Sequence, residues 1–188
     1  MNKDEIAMLL DVVRTPEHVP ATLEERVTRA EDRATIVDLV MAYGWLCDSR
    51  RWDELLDLYT DDFERRLVGT LDEHIKGKDA LREVYERPVL PRAGGAEGGP
   101  PPAEVLADYE LRHMIHPPVV RISDDGKRAT VAAVYSLVAT SGDGADLRRG
   151  EHEGGYVWGL RKVPGVGWRF DRLVVISENA RNPLFRAS

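Results

Sequence analysis

The chain has 188 residues, 43% of them hydrophobic, with a formal net charge of −7 and a pI of about 5.3. That composition furnishes one core and would cramp two domains, and an acidic chain with Lys and Arg scattered among acids is a poor match for nucleic-acid phosphate or an anionic membrane. Cys47 is the only cysteine, so no intramolecular disulfide can form, and a reduced cytoplasmic setting is expected.

Ile6, Leu9, Leu10 and Val13 recur at helical spacing before Thr15-Pro16, which predicts a short amphipathic helix in an N-terminal arm (1–30) outside the core. Lys3, Asp4, Glu5 and Asp11 interrupt its apolar run, so neither a signal peptide nor a spanning segment is expected there.

From Asp32, the set Ile36, Leu39, Val40, Tyr43 and Cys47 keeps a helical period, and Val37, Met41, Gly44 and Trp45 widen the stripe. A helix buried on most sides follows. Ser49 is the candidate N-cap of the next helix, with Trp52, Leu55, Leu56 and Tyr59 inward and Asp61-Asp62 at its end. Phe63 to Ile75 predicts two short strands about Gly69-Thr70, and Lys78 to Arg87 a third core helix with Leu81, Val84 and Tyr85 inward.

Between residues 91 and 103 the composition collapses to Gly, Pro and Ala, which predicts a mobile loop. Four strands are then expected, His113–Ile122, Arg128–Thr140, Gly154–Lys162 and Gly167–Ser177, all antiparallel. Asp124-Asp125-Gly126-Lys127 and Pro164-Gly165-Val166-Gly167 supply hairpin turns. Helices first and strands after, without βαβ alternation, indicate an α+β fold over about 31–178. The polar tail 179–188 ends in the apolar pair Leu184-Phe185, suited to closing the fold or packing on another subunit.

Several blocks resemble the SnoaL-like, nuclear transport factor 2-like family in content and order. They are Tyr43, Asp48, Trp52-Asp53, Leu56 and Leu58-Tyr59-Thr60-Asp61-Asp62, then Gly77-Lys78-Asp79-Ala80-Leu81, Arg112-His113-Met114-Ile115 and Gly167-Trp168-Arg169-Phe170. The resemblance implies a cone-shaped curved antiparallel sheet packed on about three N-terminal helices, a cystatin-like α+β barrel with an apolar pocket inside. It also implies a homodimer or homotrimer. The family includes scytalone dehydratase, bile-acid 7α-dehydratase, lindane dehydrochlorinase, polyketide cyclases and ketosteroid isomerase. The non-catalytic small subunits of ring-hydroxylating dioxygenases share the fold, so fold alone does not decide function.

In the dehydratase-like branch the resemblance places Tyr43, Asp48 and His113 at the site. Five residues of continuous helix turn two side chains about 140° apart, so Tyr43 and Asp48 face one cavity only where the helix ends near Cys47. A carboxylate at a helix C-terminus gains little from the dipole, and orienting a histidine would account for Asp48 there. The carboxylate would fix the tautomer and leave the other ring nitrogen of His113 as a base that takes a proton from carbon, while Tyr43 hydrogen-bonds to developing negative charge. Such chemistry needs no metal and no organic cofactor. Each residue also has a structural reading: Asp48 as a cap at Arg50, Tyr43 as a core aromatic, His113 as a satisfied buried histidine.

His113 and His116 are three apart on a strand and point to opposite faces, so they cannot share a metal ion, and Pro117-Pro118 suits the end of a strand. Tyr156 and Trp158 share a strand face, as do Trp168 and Phe170. With Trp45, Tyr135, Phe170 and an inward Arg172 they are the candidate wall of a pocket for a flat hydrophobic substrate, or the filling of a solid core. Two functions compete: a cofactor-independent lyase or isomerase, foremost a dehydratase, acting on a hydrophobic cyclic or polyketide-like molecule, and a scaffold like the dioxygenase small subunit. A cyclase or ligand-binding protein without acid–base groups is a third.

Overall fold

A computed structural model of the protein describes residues 3–69, 73–86, 110–141 and 148–177; the Gly/Pro-rich stretch 91–103 and the tail 179–188 lie outside the described residues. The elements run α1 (Lys3–Arg14), α2 (Leu23–Asp48), α3 (Trp52–Asp57), β1 (Tyr59–Gly69), β2 (Glu73–Lys76), α4 (Lys78–Glu86), β3 (Glu110–Ile115), β4 (Val119–Ile122), β5 (Arg128–Ser141), β6 (Arg148–Val163) and β7 (Gly167–Ser177). None of the described helices is long and apolar enough to cross a membrane.

The long helix α2 begins at Leu23, well before Ile36, the first of the periodic apolar set. Thr22 caps it by accepting the Glu25 N–H (3.1 Å), and the Glu25 carboxylate in turn accepts the Ala21 N–H (2.8 Å). A cap acts on the backbone and leaves no trace in the hydrophobic pattern. Further along, Asp32 accepts from Lys162 Nζ (2.7 Å) and from the indole N–H of Trp168 (2.8 Å), tying α2 to the β6–β7 hairpin.

The strands form one curved, open sheet in the order β2-β1-β7-β6-β5-β3, with β4 also on β5. All pairs are antiparallel except β1 with β7, which run parallel, so the expectation of a purely antiparallel sheet is corrected. Gly126 and Gly165 take the positive φ values (68° and 72°) that the two predicted hairpin turns require.

Three further expectations are revised. The helix expected to reach Tyr59 stops at Asp57, because Leu58 C=O accepts the Phe170 N–H (2.9 Å) and Tyr59 enters register with Phe170 on β7. Asp61 and Asp62 therefore lie on β1, and Ser49 caps nothing in α3: its hydroxyl donates back to Trp45 C=O (2.6 Å). The strand expected over His113–Ile122 is broken into β3 and β4 at His116-Pro117-Pro118, since proline cannot donate to the ladder.

The main core lies between α2, α3, α4 and the inner sheet face, with Ile36, Val40, Leu55, Phe63, Leu81, Val120, Trp158, Phe170 and Leu173 at its centre. On the outer face, α1 buries Leu9 and Val12 against Ala132, Val157, Val174 and Ile176, while Leu10 and Val13 stay exposed. The arm helix thus builds a second, smaller core. Arg121 fixes its end by donating to Val13 C=O and Thr15 C=O (both 2.9 Å).

Candidate active site

Helix α2 ends abruptly, and that end places the acid. Arg50 N–H donates to Cys47 C=O (3.1 Å) and Arg51 N–H to Leu46 C=O (3.0 Å), with Arg50 left-handed at φ 54°. This is a Schellman closure, here with an arginine where glycine is usual, at a cost of about 1 kcal/mol. It leaves Asp48 as the last helical residue, beside edge strand β3.

Asp48 meets His113 there. Its carboxylate oxygens accept the His113 backbone N–H (2.9 and 3.0 Å), and Oδ1 lies 2.6 Å from Nδ1. The backbone bond satisfies a donor that an edge strand otherwise leaves free. The ring bond sets the tautomer: a carboxylate only accepts, so Nδ1 carries the hydrogen and the Nε2 lone pair is available. Nε2 has no hydrogen-bond partner among the described residues, and both side chains are 11% exposed. Gly44 permits the approach, since a Cβ there would stand 3.2 Å from Ile115 Cδ1 and 3.4 Å from His113 Cβ.

Tyr43 stands edge-on to His113 with ring centroids 6.1 Å apart, and edge-on to Tyr156 (5.6 Å) and Trp158 (5.9 Å) as well. Tyr135 stacks on Tyr156 at 4.1 Å, and the Tyr59 and Tyr85 hydroxyls are 3.1 Å apart. Burial pushes the phenols of Tyr43, Tyr59, Tyr135 and Tyr156 well above their ordinary value, and that of Tyr85 up to about 12. They are therefore neutral hydrogen-bond donors at physiological pH.

A pH dependence follows. Unfolded tyrosines ionise near pH ~10. Above that the unfolded chain holds fewer protons than the folded one, so stability present below ~10 is lost as pH rises toward the folded values. Urea midpoints should fall with pH across this range, in step with delayed tyrosinate absorbance. A flat midpoint with ordinary phenol titration would contradict it.

The predicted wall residues separate into groups. Tyr135, Tyr156, Trp158 and Phe170 are all buried in the main core, Tyr156 and Trp158 edge-on to Tyr43 and Tyr135 stacked on Tyr156. Trp45 is 67% exposed and turned away from the core, a correction to its place in the wall. Arg172 does not point inward either: Phe170 pairs with Leu160 and Arg172 with Gly159, so Asp171 is an extra residue, a β-bulge that reverses the alternation. Arg172 instead lines an outer groove of about 420 Å³ with Asp62, Glu64, Arg128, Arg161 and Asp171. No three His, Cys, Asp or Glu side chains converge as a metal site among the described residues.

One interior group was missed. Arg65 on β1 is largely buried, and its Nε is enclosed without a hydrogen-bond partner. The alternation Phe63-x-Arg65-x-Leu67 carries the signal, because it places Arg65 on the apolar face.

The sequence profile of the SnoaL-like domain matches residues 28–174. The chain belongs to this family. The SnoaL-like protein also shares its fold with solved structures. An NTF2-like protein with a cystatin-like fold from Novosphingobium aromaticivorans is 23% identical, with a TM-score of 0.62 over 86% of this chain and 93% of that one. A candidate scytalone dehydratase from the same organism is 17% identical (TM-score 0.61, 81% and 88% covered). The β subunit of a candidate aromatic-ring-hydroxylating dioxygenase from that organism is 21% identical (TM-score 0.59, 82% and 94% covered). No curated protein matches the sequence at a significant level.

Proposed function

We propose that this SnoaL-like protein is a cofactor-independent lyase or isomerase, foremost a dehydratase, in which His113 takes a proton from carbon on a hydrophobic cyclic or polyketide-like substrate. The observation that carries the proposal is the Asp48–His113 pair. The 2.6 Å contact holds the ring at Nδ1, leaves Nε2 as the base and stabilises the imidazolium that forms. Tyr43, a neutral buried phenol edge-on to the imidazole, is the donor for a developing enolate or leaving hydroxyl. Tyr135 and Tyr156 supply the apolar wall, and the site works in the cytoplasm within a homodimer or homotrimer.

The scaffold shared with the dioxygenase β subunit does not separate an enzyme from a structural subunit. An edge-strand N–H could be satisfied by Asn as well as by Asp. A carboxylate that also holds Nδ1 is what proton abstraction requires.

The test is a panel of cyclic β-hydroxy ketones followed by NMR for loss of water and for exchange of the α-hydrogen. Asp48→Asn keeps an acceptor for the backbone N–H but no charge for the imidazolium, and turnover should fall about 10²-fold or more with the melting temperature little changed. Equal turnover by both proteins would remove Asp48 from the chemistry.

A further inference from the structure

The inner sheet face carries a positive charge that the dyad does not use. Arg65 pairs in register with Leu173 on β7, and Leu173 pairs with Trp158 on β6. The three side chains therefore form one row across adjacent strands, on the face that buries Leu173 and Trp158 completely. Two N–H donors in this row are enclosed and lack an acceptor, Arg65 Nε and Trp158 Nε1. The carboxylate nearest Arg65 is that of Glu73, 3.4 Å from Nη1, and Nε gains nothing from it.

Leaving a donor buried and unpaired costs about 1–3 kcal/mol, more at a charged group, so native proteins seldom do it twice in one row without a use. The row lies on the inner face of the sheet, against the core that includes Tyr43. The Trp158 ring lies 5.9 Å from that of Tyr43 and 4.8 Å from that of Tyr156, centroid to centroid. Tyr43 thus packs edge-on both against His113 and against Trp158 of the Arg65 row. A guanidinium cannot give up its proton in a protein, so this end of the interior is permanently cationic and selects an acceptor that carries negative charge.

We propose that Arg65, with the indole N–H of Trp158, binds an oxygen anion of the substrate, so that the molecule handled at His113–Asp48 is a flat apolar compound bearing an acidic oxygen. The assignment deepens the function proposed above and rests on it. Proton abstraction by His113 leaves an electron pair that moves onto the carbonyl oxygen beside Tyr43 and then expels the β-hydroxyl as water, with His113 returning its proton to the leaving group, while Arg65 holds a separate acidic oxygen of the same molecule. All atoms and charges are accounted for without an oxidant or a metal.

The experiment compares binding of 2-naphthoate with that of its neutral isostere 2-naphthamide by calorimetry, in the unaltered protein and in Arg65→Met, Arg65→Lys and His113→Ala. The unaltered protein should prefer the carboxylate by about tenfold or more, the margin expected of a charge-assisted hydrogen bond. Arg65→Met should bind both probes equally. Arg65→Lys, which keeps the charge but not the fork, should lose several-fold in naphthoate affinity with naphthamide unchanged, and this variant decides the matter if Arg65→Met does not fold. His113→Ala should retain the preference. Equal binding by the unaltered protein, binding of neither probe, a preference that survives Arg65→Met, or its disappearance in His113→Ala would each overturn the assignment. Anion preference with turnover indifferent to His113 would sink the dyad alone, and turnover dependent on His113 without anion preference would sink the role of Arg65 alone.

Discussion

Turnover by the His113→Ala variant is expected to fall about 10²–10⁴-fold, the range assigned to a positioned general base. The substitution removes the imidazole held by Asp48 and leaves a methyl group that can neither take a proton nor pass one on. Asp48 cannot substitute, because it is anchored at the end of α2 by the backbone N–H at position 113, which the alanine retains. That same retained bond keeps the edge of β3 satisfied, so loss of rate should come with little loss of stability. The rate of water loss from a responsive member of the ketone panel, measured beside a thermal melt, checks both parts. A variant that melts as the parent does and turns over at the parent's rate would end the catalytic reading.

The largest loss of stability is expected at Phe170. Its ring is wholly enclosed and touches Tyr59, Tyr43 and Trp158 at centroid separations of 5.6, 6.5 and 6.3 Å. It also sits immediately before the bulge at Asp171, where β1 and β6 both take their register from β7. Phe170→Ala should therefore cost about 3–5 kcal/mol, the sum of lost transfer energy and an unfilled cavity. A urea titration would show the midpoint displaced at unchanged slope. A loss under about 1 kcal/mol would mean that the ring lines free space rather than fills the core, since a side chain that already borders a void forfeits few contacts when removed.

The architecture was readable where apolar periodicity is strong. Ile36, Val40, Tyr43 and Cys47 mark the buried face of α2, and the glycine-bearing turns mark the hairpins that join β4 to β5 and β6 to β7. The blocks around Tyr43, Asp48 and His113 mark the acid and the imidazole within the sequence itself. What escaped is set by backbone pairing between distant segments. Tyr59 has helical spacing after Leu55 and Leu56, yet its partner Phe170 lies 111 residues away and draws it into the sheet parallel to β7. Arg172 follows Phe170 by two residues and would share its face, except that a single inserted residue, Asp171, turns it out. A bulge adds one residue to one strand and alters no composition. Arg65 is the reverse case, a charge on the apolar phase of β1 that is easily passed over because charged residues are most often solvated.

The acid–imidazole pairing can be observed without knowing the substrate, by nitrogen-15 NMR of the histidine rings in the unaltered protein and in Asp48→Asn. The neutral His113 ring should carry its proton on Nδ1, with that proton's resonance shifted far downfield by the short bond to Asp48 and moved upfield in the variant. A ring protonated on Nε2, with Nδ1 bare and indifferent to the substitution, would contradict the arrangement on which the proposed chemistry depends.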